Sequence, residues 1–256
     1  MIHERAEVDS SARLADDVEV GAFSVIGPEV EIGPGTVIGP HVVIKGPTRI
    51  GSNNRIHQFC ALGEGPQDTG YAGEATRLEI GDNNTFREFC TVNRATTKES
   101  WVTRIGNDNW VMAYVHVAHD CQVGSHNIMA NATTLAGHVE IGDHVVLGGF
   151  SKVHQFCRVG DHAFCGMDNG ITRDVPPYLM VSGFPARPHG LNSVGLRRRG
   201  FSKETIQAIR HVYRVLYRSG LRLEEALEQL DREADPTPQV RVMREFVRTA
   251  RRSIVR

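Results

Sequence analysis

Residues 20–44 read VGAFSVIGPEVEIGPGTVIGPHVVI. Val20, Ile26, Ile32, Ile38 and Ile44 stand six apart, and a glycine follows four of them, at Gly21, Gly27, Gly33 and Gly39. A six-residue period fits neither the 3.6 of a helix nor the alternation of a plain strand. It fits a solenoid of very short strands joined by turns, in which the aliphatic points inward and glycine permits the turn's unusual dihedrals. Three hexads then close one triangular coil. Successive coils stack as parallel strands about 4.8 Å apart.

The pattern extends in both directions. It holds ten positions from Val8 to Leu62, resumes at Ile80, Phe86 and Val92, and runs again from Ile105 to Ile171. Two stretches interrupt it, at 63–77 and 96–104. The first gap, Leu62 to Ile80, equals one coil's worth of chain; the second shifts the phase by one. Loops ejected from a rigid solenoid are favoured places for binding residues. After Ile171 the prolines of DVPPYLMVSGFPARP end the repeat. The spacing then predicts a helix from Ser202 as N-cap to Gly220 as stop, a second in 221–234 and a third after Pro238. The expected organisation is a solenoid over 1–190 and a helical domain over 191–256 that caps its open end.

The composition, 40% hydrophobic and 23% charged, is that of an ordinary soluble protein. No apolar run approaches the roughly 20 residues that span a bilayer. MIHERAEVDS carries charges where a signal peptide needs an apolar stretch, so the expected compartment is the cytoplasm. The net charge of -1 hides a split: residues 1–196 carry -8 and residues 197–256 carry +7. A basic tail suggests an acidic partner, or simply a solvated helical face near the acidic body. Cys60, Cys90, Cys121 and Cys157 each lie four after an anchor and Cys165 is itself an anchor, so all five read as buried small hydrophobes.

The histidines sort by slot. His41, His126, His144 and His162 lie three after an anchor and read as exposed turn residues. His119 lies two after Val117, with Asp120 next to it and His116 just before the anchor. Coil arithmetic lines up His119, the Gly137–His138 pair and the His154–Gln155 pair along one edge. A neutral histidine there could take a proton from an alcohol. The same cluster could bind zinc, although no three-ligand spacing is evident, or could line a passive groove.

The motifs HVAHD (116–120), LAGH (135–138), VHQFC (153–157), DVPPY (174–178) and LRRRGFS (196–202), set on the hexads, resemble the UDP-N-acetylglucosamine O-acyltransferases of bacterial lipid A biosynthesis. The resemblance covers essentially the whole chain. It implies a mainly β fold, a left-handed parallel β-helix with a C-terminal α-helical domain, assembled as a homotrimer with sites between subunits. It implies transfer of a 3-hydroxyacyl chain from the phosphopantetheine of acyl carrier protein to the 3-position of a UDP-sugar, with no cofactor, metal or nucleic acid. By the same resemblance His119 matches the general base, Asp120 its orienting partner and the Gly137 N–H the oxyanion donor. Substrate contacts fall on Gln67, Asp68, His116, His138, His154, Gln155, Asn192 and Arg198.

Departures from the family pattern carry information. Gly70 stands where a lysine contacts substrate, Asn93 replaces a histidine, and Val194 replaces a glutamate. A lost cation raises the alternative of a 3-amino UDP-sugar as acceptor, giving an amide. Met167 replaces a glycine at the floor of the acyl groove, which points to a chain nearer ten carbons than fourteen. Rival readings are the N-acyltransferase of the same pathway, a coenzyme A-dependent acetyltransferase, and a zinc-binding or noncatalytic solenoid.

Overall fold

The computed structural model describes residues 1–234 and 237–256. Most hexads fold as a two-residue strand whose first side chain faces out and whose second, the aliphatic anchor, is buried. The strands wind into a left-handed parallel β-helix with three faces. The first face runs from Glu7–Val8 to Gly170–Ile171, the second from Arg13–Leu14 to Arg158–Val159, and the third begins at Glu19–Val20. Val8 pairs with Ile26 and Leu14 with Ile32, so the register step is one coil of three hexads. Ile26, Ile38, Ile44, Ile56, Leu62, Leu135 and Leu147 fill the interior as stacked layers.

Each corner turns through a residue in the left-handed region. At the corner after the first face these include Glu29, Asp120, His138 and Phe156; after the second, Asp108, His126, His144 and His162; after the third, Phe23, Phe59, Phe89 and Phe150. Stacking offsets that local cost by aligning like side chains. His126, His144 and His162 form a column with ring centroids 4.7 and 4.8 Å apart, which ends on Phe201. His144 and His162 are half-buried, a correction to the expectation of exposed turn residues. The five cysteines are buried and free, as their slots imply. The same interior slot carries an asparagine ladder that the period did not reveal. Asn84 Nδ2 donates to Asn54 Oδ1 at 3.1 Å and Asn109 Nδ2 to Asn84 Oδ1 at 2.9 Å.

Both excursions leave from the corner after the first face. Leu62 pairs with Val92, a step of 30, and Ile80 pairs with Ile105, a step of 25. The coil-long gap between Leu62 and Ile80 is therefore not a skipped coil. Those anchors sit on consecutive strands, Ala61–Glu64 and Arg77–Ile80, of the first and second faces. The surplus chain is pushed out while the anchors keep their register, with a one-residue slip between Leu62 and Glu64.

Beyond Ile171 the strand Leu179–Ser182 continues the third face, and Arg187–Leu191 folds back antiparallel on it. Four helices follow: α1 (Ser193–Arg198), α2 (Lys203–Arg218), α3 (Leu223–Asp231) and α4 (Pro238–Arg248). The Ser202 hydroxyl caps α2, accepting the Thr205 N–H at 3.1 Å. α1 was not anticipated, and the last helix stops at Arg248. The chain then returns to the solenoid, where Ile254 bridges to Asp174. The tail also leans along the second face, beyond simple capping: the Arg158 guanidinium lies 4.4 Å from the centre of the Phe246 ring.

Candidate active site

The corner after the first face gathers most of the expected site residues. The strands His116–Val117, Thr134–Leu135 and Lys152–Val153 pair in register, so His119, Gly137 and Gln155 occupy one slot on successive coils. Asp120, His138 and Phe156 occupy the next slot. The edge expected from coil arithmetic is present.

His119 Nδ1 lies 2.8 Å from Asp120 Oδ2, with the His119 side chain 14% exposed and that of Asp120 fully buried. Such a pair fixes the proton on Nδ1 and leaves Nε2 as the free base. Asp120 is held from the second excursion: the Thr96 hydroxyl donates to Oδ2 at 2.7 Å and the Thr96 N–H to Oδ1 at 3.2 Å. Burial by itself would raise the Asp120 carboxyl, but the bonds from His119 and Thr96 prevail and hold it below the usual carboxylate range. The aspartate therefore stays ionised beside the imidazole at neutral pH.

Gly137 lies under the His119 ring. A Cβ there would stand 2.6 Å from Cε1 and 2.8 Å from Nε2, so only glycine admits the ring at this position. The Gly137 N–H donates to none of the described residues. His138 packs edge-on to His119, with centroids 5.2 Å apart, and stacks on Phe156 at 4.6 Å. Its Nε2 is 3.7 Å from Asp120 Oδ2. Its Nδ1 is 3.2 Å from Glu99 Oε2, close enough for ion pairing but without hydrogen-bond alignment. His116 Nδ1 meets the Thr91 hydroxyl at 2.7 Å; burial, then the neighbouring His119, pulls its pKa down.

His119, Asp120 and His138 also have the donor types and closeness of a metal site. The hydrogen bonds from Thr96 and His119 already engage both Asp120 oxygens, so an ion would have to displace them.

The excursions close over this edge. Asp68 on the first pairs with Lys98 on the second, and Asp68 Oδ1 accepts the Gly70 N–H at 2.8 Å. Asn93 is buried and donates to the Gly65 carbonyl at 2.8 Å, so the side chain that departs from the family pattern ties the first excursion to the coil. Gln67 is exposed on the same excursion. His154 is exposed, with Nδ1 3.1 Å from the Gln155 carbonyl, which also accepts from Arg252 at 3.1 Å.

The other expected contacts lie elsewhere in the chain. Asn192 is the N-cap of α1, accepting the Gly195 N–H at 3.1 Å and donating to the His162 carbonyl at 3.0 Å, next to the corner after the second face. Arg198 ends α1, exposed. Met167 sits at the corner after the third face, 76% exposed. One chain thus brings together His116, His119, Asp120, Gly137, His138, Gln155 and Asp68, and leaves Asn192 beside the corner after the second face, Arg198 on α1 and Met167 at the corner after the third. Thr96, Lys98 and Glu99 are the neighbours that the sequence reading missed. A groove of about 1090 Å³ between the second face and α4 is walled by Arg104, Glu140, Arg158 and Phe246, and lies apart from this cluster.

Known proteins bear on this geometry. Residues 174–255 match the family model described as "Udp N-acetylglucosamine O-acyltransferase; Domain 2", and 11–46, 29–64 and 103–137 match the bacterial transferase hexapeptide repeat. An acyl-[acyl-carrier-protein]–UDP-N-acetylglucosamine O-acyltransferase of Halorhodospira halophila is 58% identical over 100% of this chain and 99% of its own. The crystal structure of the UDP-N-acetylglucosamine O-acyltransferase from Moraxella catarrhalis superposes with a TM-score of 0.97 at 46% identity, covering 100% of this chain and 99% of that one. The Francisella novicida UDP-N-acetylglucosamine acyltransferase gives 0.98 at 44%, covering 100% and 94%.

Proposed function

The chain belongs to the UDP-N-acetylglucosamine O-acyltransferase family, and from that premise we propose that it moves a 3-hydroxyacyl chain from acyl carrier protein to the 3-hydroxyl of UDP-N-acetylglucosamine, the first step of lipid A biosynthesis. The single observation that carries the mechanism is the His119–Asp120 pair at 2.8 Å, with the imidazole packed against Gly137. His119 Nε2 takes the proton of the sugar hydroxyl as its oxygen attacks the thioester carbon. The tetrahedral oxyanion accepts the Gly137 N–H. Collapse breaks the carbon–sulfur bond, and the departing thiolate recovers the proton from His119. Asp120 stabilises the imidazolium throughout and stays ionised. An oxyanion donor of this kind contributes about 10²–10³ in rate.

The same reading makes the molecule a cytoplasmic homotrimer whose sites span two subunits, because Asn192 and Met167 lie by other corners than His119 and Arg198 lies on α1. Among the described residues, no helix is long and apolar enough to cross a membrane. The basic tail, +7 over residues 197–256, is the surface for an acidic carrier protein. Met167 narrows the acyl groove toward a chain near ten carbons.

Mass spectrometry of products from a panel of 3-hydroxyacyl carriers, offered UDP-N-acetylglucosamine and its 3-amino analogue in competition, tests the reaction. The expected product is the ester; predominant amide would overturn the hydroxyl acceptor. His119→Ala should lower kcat/KM by about 10²–10⁴ without loss of thermal stability.

A further inference from the structure

We infer that Lys98 is a specificity-determining residue of this site: from the second excursion it presents an ammonium beside Asp68 to an oxygen of the acceptor sugar nucleotide. The inference rests on the proposed reaction and names a cation for its acceptor site.

Both oxygens of Asp68 are engaged, one by the Gly70 N–H at 2.8 Å and the other by Lys98 Nζ. The carboxylate is therefore fixed in orientation. The Lys98 side chain is 55% exposed, which leaves its remaining N–H donors open to a ligand. Its backbone is tied to the reacting edge, since the Lys98 N–H donates at 3.2 Å to the Thr96 hydroxyl that holds Asp120. Pairing with Lys98 foremost, then the Gly70 N–H, keeps the Asp68 carboxyl below its ordinary range, and His119 contributes the same way. Without Lys98 a bare carboxylate would stand at the entrance and repel a diphosphate.

Gly70 completes the argument. A Cβ on it would stand 3.2 Å from Asp68 Oδ1 and 4.0 Å from Lys98 Nζ, with no other atom nearby. A side chain at position 70 would enter the volume that the ammonium now fills. The cation missing from position 70 is supplied from position 98, which removes the reason to expect an amino acceptor.

The test uses Lys98→Gln and the double variant Lys98→Gln/Gly70→Lys in the full-length protein. KM and kcat are read with acyl carrier protein and UDP-N-acetylglucosamine, and calorimetry reads binding of UDP-N-acetylglucosamine and of UDP. Loss of one charge-assisted hydrogen bond raises KM about tenfold or more, with kcat within about threefold. The double variant restores KM, because a lysine from the first excursion reaches the same place. A parallel loss of UDP affinity puts the contact on the diphosphate, and unchanged UDP affinity puts it on the sugar. Unchanged KM in Lys98→Gln, or a fall confined to kcat, overturns the inference. If the parent protein failed to turn over, the proposed reaction would fall, and calorimetry, which needs no chemistry, would still decide Lys98.

Discussion

Around His119 the neighbouring groups arrive from two coils and one excursion. His119 and Asp120 share a turn, Gly137 comes from the next coil, and Thr96 reaches Asp120 from 24 positions earlier in the chain. The first three were legible because the hexad period converts sequence distance into position on an edge. Thr96, Lys98 and Glu99 were not, because periodicity says nothing about the path of extruded chain. Met167 follows Cys165 by two, the slot on its corner that His119 fills on its own. If it is the ruler of the acyl groove, Met167→Gly frees space for more methylenes, each worth about 0.8 kcal/mol when buried. The variant should raise kcat/KM for a fourteen-carbon donor relative to a ten-carbon one by about tenfold or more. An unchanged ratio in a donor panel would end the ruler hypothesis.

Among the elements, the hexad strands and three of the four helices, α2, α3 and α4, followed from period and capping. α1 was hidden by its six residues, too few to display a helical period. The return of the C-terminus was hidden as well, because it depends on a single bridge, two buried aliphatics and one buried carboxylate rather than a pattern. Asp174 accepts the Arg158 N–H at 2.9 Å and the Arg251 N–H at 3.0 Å, joining the last coil to the chain end. Burial, opposed by these bonds, raises its pKa. Asp174→Ala strands two backbone donors, each costing about 1–3 kcal/mol when buried. Urea unfolding should register a loss of about 2–4 kcal/mol, and Asp174→Asn, which keeps an acceptor, clearly less. Equal and small losses would show that the carboxylate does not anchor the tail.

On the scale of the whole molecule, the residues assigned to one reaction lie on different corners of a triangular prism. Co-expression of His119→Ala with Arg198→Ala tests the shared site. In randomly mixed copies of the proposed trimer, about a quarter of the sites pair an intact His119 with a neighbour's intact Arg198, so activity should return to about that fraction. Activity no higher than that of either variant alone would place both residues in one chain's site. The extruded loops also bear on how the chain folds. An ordinary coil closes a contact over three hexads, whereas the two excursions stretch that closure to steps of 30 and 25. Because closure entropy grows only with the logarithm of length, the surcharges are about 0.5 and 0.3 kcal/mol. Zipping can therefore pass these coils almost as readily as any other, and further lengthening of either loop would slow folding very little.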